Sequence, residues 1–199
     1  MTAKGATFSV PGSVQKIDDG TFCDCKCLES ITVDAGNELY SSENGVLYNR
    51  EKTQLLAFPV AFTATEFTIP STVEAVAPYA FYYNKNLTSV TVPSSVKTIE
   101  NDAFSDCSKP ETLNLNEGLV SIEDDAFSSC DMLNLNTLPN SVTHIGNCAF
   151  NYTAAYDNEA NWENDLFSIG SCLLGAREHP GSGRRCQSAL ETAVLKKSS

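Results

Sequence analysis

Apolar and polar positions between residues 67 and 150 follow one phrase, given four times. Ile69-Pro-x-x-Val73-x-x-Val76-x-x-x-Ala80-Phe81 is followed by Val92-Pro-x-x-Val96-x-x-Ile99-x-x-x-Ala103-Phe104. Leu115-x-x-x-Leu119-x-x-Ile122-x-x-x-Ala126-Phe127 and Leu138-Pro-x-x-Val142-x-x-Ile145-x-x-x-Ala149-Phe150 complete the series. The phenylalanines at 81, 104, 127 and 150 are spaced by 23 residues, as are Val73, Val96, Leu119 and Val142. A fixed period in the twenties predicts a solenoid with one coil per repeat. No coil buries its apolar residues alone, so equivalent residues must stack into a continuous core.

Phe8-x-Val10-Pro11-x-x-Val14-x-x-Ile17-x-x-x-Thr21-Phe22 is an earlier copy. Leu28-x-x-Ile31-x-Val33 and Leu87-x-x-Val90-x-Val92 read as short strands with alternate residues in the core. Leu113-x-Leu115 and Leu133 to Leu138 are weaker versions. The opposite face then carries Ser30, Thr32, Glu66, Thr68, Ser89, Thr91, Thr112, Asn114 and Thr137, a polar ladder rich in β-branched threonine. It reads as a binding surface or as a solvated sheet face. No aromatic or arginine anchor of the kind that carries interface energy sits in it.

The rhythm breaks between Asp34 and Glu66. Asn44-Gly45 is a turn signal, and the apolar runs on either side of Asn49-Arg50-Glu51-Lys52-Thr53 predict a β-hairpin with a five-residue loop. Tyr40, Tyr48, Phe58 and Phe62 either pack on the solenoid or form an exposed contact site. The expected organisation is a solenoid over 1–152 with this insertion at 34–66. A degenerate coil or partial hairpin follows at 153–176, with Trp162 covering the last coil, and then a disordered tail at 177–199. The tail's Pro, Gly and Arg content supports that last assignment.

Val92-Pro-Ser-Ser-Val-Lys-Thr-Ile-Glu-Asn-Asp-Ala-Phe-Ser-Asp-Cys107 and the interruption from Tyr40 to Pro59 resemble the BspA-like class of leucine-rich repeats, over residues 7 to about 152. The resemblance implies a curved, β-rich leucine-rich-repeat stack, here of about five coils with a β-hairpin insertion. It also implies a non-enzymatic surface or secreted protein linked to adhesion and matrix-protein binding. Extracellular-matrix or host surface proteins are the partners expected on that basis, and the cell surface is the expected location. Residues 1–10 carry no apolar stretch of a signal peptide, which leaves a cytoplasmic location open. The first copy starts with no capping element before it, which leaves two expectations: a piece of a longer chain, the favoured one, or a raw first coil through which copies of the chain associate end to end.

Charge narrows the partners. Residues 1–176 hold eight Lys/Arg and 23 Asp/Glu, a balance of −15, whereas residues 177–199 hold five and two. So acidic a body argues against nucleic acid. No apolar run approaches the ~18 residues of a membrane span. Cys25, Cys107 and Cys130 each follow a repeat phenylalanine by three residues, which predicts a buried ladder of small side chains. The spacing of Cys23, Cys25 and Cys27 lies outside the usual zinc pattern, with no histidine near. Weak Ca²⁺ binding at Asp18-Asp19 or Glu123-Asp124-Asp125 is an alternative to a solvated acidic ledge. No cofactor is expected. His144 falls in an outward slot and His179 in the tail, and no catalytic motif accompanies either. Asn86-Leu-Thr88 and Asn151-Tyr-Thr153 match the glycosylation pattern. Three readings survive: a protein-binding module of an adhesin-like surface protein, an intracellular scaffold without an external ligand, or an accessory segment of an enzyme encoded as a longer chain.

Overall fold

The structure is a computed structural model and describes residues 5–164, 166–176, 188–189 and 195–196. The repeat folds as a β-solenoid in which each coil contributes to three sides. One side carries strands β1 (Ala6–Val10) and β2 (Leu28–Val33), paired in parallel, followed by a separate parallel sheet of β6 (Glu66–Thr68), β8 (Ser89–Val92) and β10 (Thr112–Leu115). The second side is a seven-stranded sheet. It begins with β3 (Tyr40–Glu43), β4 (Val46–Asn49) and β5 (Gln54–Ala57), and continues through β7 (Ala75–Val76), β9 (Thr98–Ile99), β11 (Ser121–Ile122) and β12 (His144–Ile145). The parallel register runs Val76, Ile99, Ile122, Ile145, one period per strand.

The third side has no strands and is built from turns around the repeated Ala-Phe. The amides of Phe81, Phe104 and Phe127 donate to the carbonyls of Ala103, Ala126 and Ala149 in the next coil, at 2.7, 2.8 and 2.8 Å. These contacts satisfy turn backbone that the core would otherwise strand. At Phe22, Phe81, Phe104, Phe127 and Phe150 a left-handed residue stands two positions before the phenylalanine. Gly20, Tyr79, Asp102, Asp125 and Cys148 fill that column with φ of 70, 59, 54, 54 and 55°.

Inside, Phe58, Phe81, Phe104, Phe127 and Phe150 stack in one ladder, with centroids 4.9, 4.5, 5.2 and 5.4 Å apart and planes within 23°. Phe58 stands one period before Phe81, and its amide donates to Ala80 O at 2.7 Å. The interruption therefore supplies an Ala-Phe pair of its own, Ala57-Phe58, and the stack comes to about six coils. Phe22 lies outside the ladder, in a second core cluster with Val10, Leu28, Ile31, Leu47 and Ala57.

The interruption goes further than a lone hairpin. β3 and β4 pair antiparallel through the Asn44-Gly45 turn, where φ is 51 and 84°, and β4 pairs antiparallel with β5. β5 then pairs in parallel with β7, which joins the meander to the solenoid sheet. Tyr48 and Phe58 are buried and Tyr40 and Phe62 half-buried, so the aromatics pack inward.

One expected strand is missing: Leu133 to Leu138 forms none. The column that holds Phe67, Val90 and Leu113 reaches Asn136 in this coil, and Asn136 is exposed. With its central inward residue polar, the segment turns Leu133, Leu135 and Leu138 inward instead. That spacing does not suit an extended chain.

Beyond Phe150 a short helix α1 (Ala154–Asp157), capped by the Thr153 hydroxyl, leads to an antiparallel meander of β13 (Trp162–Glu163), β14 (Leu166–Ile169) and β15 (Cys172–Ala176). Trp162 meets Tyr156 edge-on at 5.0 Å and donates its Nε1–H to Tyr156 O at 2.7 Å. It packs against the main core. Two short strands, β16 (Ser188–Ala189) and β17 (Leu195–Lys196), pair with β15. The rest of the tail expected to be disordered lies outside the described residues.

Candidate functional site

The polar ladder divides in three. Six of the nine candidates share the sheet β6-β8-β10, in two straight rows. Glu66, Ser89 and Thr112 face one another across the strands, and so do Thr68, Thr91 and Asn114. Asn114 Nδ2–H₂ reaches the Thr91 hydroxyl at 3.4 Å. All six side chains are exposed or half-exposed, while Val90 and Val92 between them are fully buried. Ser30 and Thr32 lie in the separate sheet, where they pair with Thr7 and Ser9. Thr137 is exposed but sits in the segment that forms no strand.

A second surface was not evident from the strand pattern. Between the first coil and the two that follow lies a shallow cleft, open to solvent. Leu47, Leu56, Ala57 and Phe58 line its apolar part, with Asp18 and Asp19 on one side and Tyr79 and Tyr82 on the other. Tyr79 hydrogen-bonds Asp102, whose negative charge is the main reason that its hydroxyl holds its proton above the usual range. Burial, then Asp106, pushes the Tyr82 hydroxyl up to about 12. The neighbouring Tyr83 ring lies under two ammonium groups, Lys85 at 4.3 Å and Lys26 at 5.2 Å. The signal for this cluster was in the sequence. Tyr79, Tyr82 and Tyr83 stand in columns that hold Asp102, Ser105 and Asp106 one period later.

A family model for the BspA type leucine rich repeat region matches in six copies, over residues 2–64 and 51–174. The chain belongs to the BspA-type leucine-rich repeat family. A solved structure of the pneumococcal vaccine antigen PcpA is 29% identical, with a TM-score of 0.67, over 70% of this chain and 35% of that one. A leucine rich cell surface protein from Faecalibacterium prausnitzii is 25% identical, with a TM-score of 0.58, over 73% and 45%. A leucine-rich repeat protein from Bacteroides capillosus is 28% identical, with a TM-score of 0.53, over 61% and 96%. No curated protein matches the chain. The chain spans about a third of the length of PcpA and less than half of the Faecalibacterium protein.

Other candidate chemistry in this BspA-type stack resolves as packing. Cys107 and Cys130 are buried free thiols that donate to Phe81 O and Phe104 O of the preceding coil, at 3.0 and 3.1 Å. Burial pushes the Cys107 thiol up to about 12. Cys25 departs from the expected buried ladder, since it is exposed. Its turn matches theirs, but no described coil lies beneath to cover it. Asn84 fills the same slot one period before Cys107. It donates to Pro59 O and Val60 O, and accepts from the amides of Asn86 and Leu87.

His144 is exposed beside Glu123, at 3.3 Å. The Ser121 hydroxyl meets the other oxygen of the same carboxylate. The carboxylate, rather than the imidazole, adjoins the hydroxyl, so this order does not activate a serine. Among the described residues no group of three or more His, Cys, Asp or Glu is placed to hold a metal ion. Nor is any helix among them long and apolar enough to cross a membrane. Both sequons are tied into the fold: Asn86 Nδ2–H₂ donates to Phe62 O at 2.9 Å, and Asn151 is buried.

Proposed function

We propose that this BspA-type stack is a non-enzymatic protein-binding module of an adhesin-like surface protein, and that the sheet β6-β8-β10 is its contact face. The observation that carries this reading is the pair of in-register polar rows, Glu66-Ser89-Thr112 and Thr68-Thr91-Asn114, on an open sheet. A parallel sheet presents such rows on backbone that is already ordered, which lowers the cost of binding. The surface location of the similar Faecalibacterium protein supports the same reading. Extracellular-matrix or host surface proteins are the ligands in view, and the net charge of −12 disfavours nucleic acid. End-to-end contact between copies belongs to this reading as well, through β1, whose side chains from Ala6 to Ser9 are exposed among the described residues.

The test is surface plasmon resonance on a panel of purified matrix proteins. At least one is expected to bind, and a Thr68→Lys/Thr91→Lys variant to bind at least about ten-fold more weakly, the loss of one or more interface contacts. Thr143→Lys, on another side of the stack, is expected to change nothing. Absence of binding across the panel, or equal binding by both variants, would overturn the proposal in favour of a scaffold role.

A further inference from the structure

The coil from residue 67 to 89 departs from its neighbours in three columns of the turn side. Where the next two coils place Asp102, Ser105, Asp106 and then Asp125, Ser128, Ser129, this one places Tyr79, Tyr82 and Tyr83. Two of these tyrosines, Tyr79 and Tyr83, are held at a φ of 59°. A bulky residue is disfavoured there, by about 1 kcal/mol or more, and such a residue persists where the surroundings fix it. Packing does not call for the rings. Tyr79 is exposed and Tyr82 and Tyr83 are half-exposed, outside both apolar clusters. Tyr79 and Tyr82 line the cleft, opposite the first coil, whose Phe22 stands 36 residues rather than 23 before Phe58.

The chemistry of this border is specific. Asp18 and Asp19 stand on the first coil, and Asp102 and Asp106 hold the hydroxyls of Tyr79 and Tyr82 from behind. The adjacent Tyr83 ring accepts two of the protein's own ammonium groups on its face. No ammonium lies over Tyr79 or Tyr82 in the described contacts. Lys16 pairs with Asp18 but is itself highly exposed, at 79%, and so is easily displaced. A slot with an apolar floor, tyrosine faces and carboxylates at the mouth is complementary to a long cationic side chain. The aliphatic stem lies on the floor while the head meets the rings and carboxylates. Guanidinium suits it better than ammonium, because it is planar, stacks on tyrosine and pairs with a carboxylate through two parallel hydrogen bonds.

We propose that the cleft between the first coil and the Tyr79–Tyr82 turn is a second contact site, which takes an arginine side chain from an extended, basic segment of a partner protein. The proposal rests on the reading of the chain as a protein-binding module but not on the ladder as its contact face.

The test is fluorescence anisotropy at low salt with a labelled peptide of alternating serine and arginine, alongside the same peptide carrying lysine or uncharged citrulline. The arginine peptide is expected to bind, the lysine peptide about 3–5-fold more weakly, and the citrulline peptide not at all. Tyr79→Asn and Tyr82→Ser, which restore small polar residues like those of the neighbouring coils, are each expected to weaken binding about five-fold. Asp19→Asn, exposed and neutral toward folding, is expected to do the same, and Glu111→Gln to leave binding within about two-fold. The site is refuted if the arginine peptide does not bind. It is also refuted if Glu111→Gln matches Asp19→Asn, which is diffuse attraction to an acidic chain, or if folded tyrosine variants bind as wild type does. The ladder is scored separately. Matrix-protein binding that Thr68→Lys/Thr91→Lys abolishes and Tyr79→Asn spares leaves the ladder reading standing whatever the peptide does.

Discussion

Phe104 sits at the centre of the stack, and its removal tests the register of the whole fold. It is 2% exposed, with Phe81 stacked at 4.5 Å on one face and Phe127 at 5.2 Å on the other. A buried Phe→Ala change costs about 3–5 kcal/mol, from lost transfer energy and the cavity left behind. Each stacked pair adds about 0.5–1.5 kcal/mol beyond the area buried, and two are lost here, so the upper part of that range, about 4–5 kcal/mol, is expected. Phe22→Ala is the internal comparison. Phe22 lies outside the ladder, and its one ring contact among the described residues is Phe8, edge-on at 5.4 Å, which is itself 47% exposed. Its loss is expected to cost less, about 2–3 kcal/mol. Both are read from urea unfolding followed by circular dichroism, with stability obtained by linear extrapolation. A loss below about 1 kcal/mol for Phe104→Ala would mean that the 23-residue register is wrong. An equal or larger loss for Phe22→Ala would refute the extra contribution assigned to the stacked pairs.

Three further outcomes are expected. Thr91→Lys on the open sheet face should fold normally, with Tm within about 2 °C of wild type, whereas Val90→Lys, one residue inward, should not fold, because it buries an unpaired charge. Burial, and then the charges of Asp102 and Asp124, hold the Asp125 carboxyl above its ordinary value of 3.8. The folded chain therefore binds this proton more tightly than the unfolded one. The group's contribution is full below its ordinary value and is lost as pH rises through the folded value. Asp125→Asn, which tolerates the left-handed backbone, should thus gain up to about 0.5 kcal/mol at pH 7 and nothing near pH 3.5, in paired thermal melts. Equal gains at both pH values would refute this. Finally, a thiol reagent should modify exposed Cys25 and Cys27 promptly and reach Cys107 and Cys130 only on unfolding. Prompt modification of Cys107 in the folded protein would contradict its place beneath Phe81 O.

The period made most of the fold legible, because a repeat reports its own register. Each column of equivalent residues lies one period apart, and a column that is apolar four times over, such as Val76, Ile99, Ile122 and Ile145, has to be core. Legibility failed where a single residue broke a column. Asn136 replaced an inward apolar residue and removed a strand that the Leu133–Leu138 spacing had suggested. Ala57-Phe58 was hidden for the opposite reason. It keeps the 23-residue distance to Phe81, but the hairpin signals around it, Asn44-Gly45 and the turn after Asn49, drew it into an insertion. The backbone bond from Phe58 to Ala80 O shows that hairpin and coil are the same segment.

The candidate sites follow the same logic in reverse. Core columns are informative when they agree, and surface columns when they disagree. The half-exposed turn slots of a solenoid are free to vary among small polar residues, as in Asp102 and Asp106. Tyr79 and Tyr83 in those slots, both on left-handed backbone, represent a cost that the fold does not recover by burying them. Reading each strand by its alternation led to the polar rows of β6, β8 and β10, which repeat in register and present six similar side chains. Reading down the turn columns leads instead to Tyr79, Tyr82 and Tyr83, three tyrosines together in one coil, with Tyr152 recurring alone in the Tyr83 column at a φ of 56°. A repeat surface offers an extended contact to any ligand long enough to span it, whereas a single irregular coil offers one fixed point. If both bind, the ladder sets the area of contact and the cleft sets its register along the stack. A partner segment that seats one arginine in the cleft could then meet the polar rows in only one alignment.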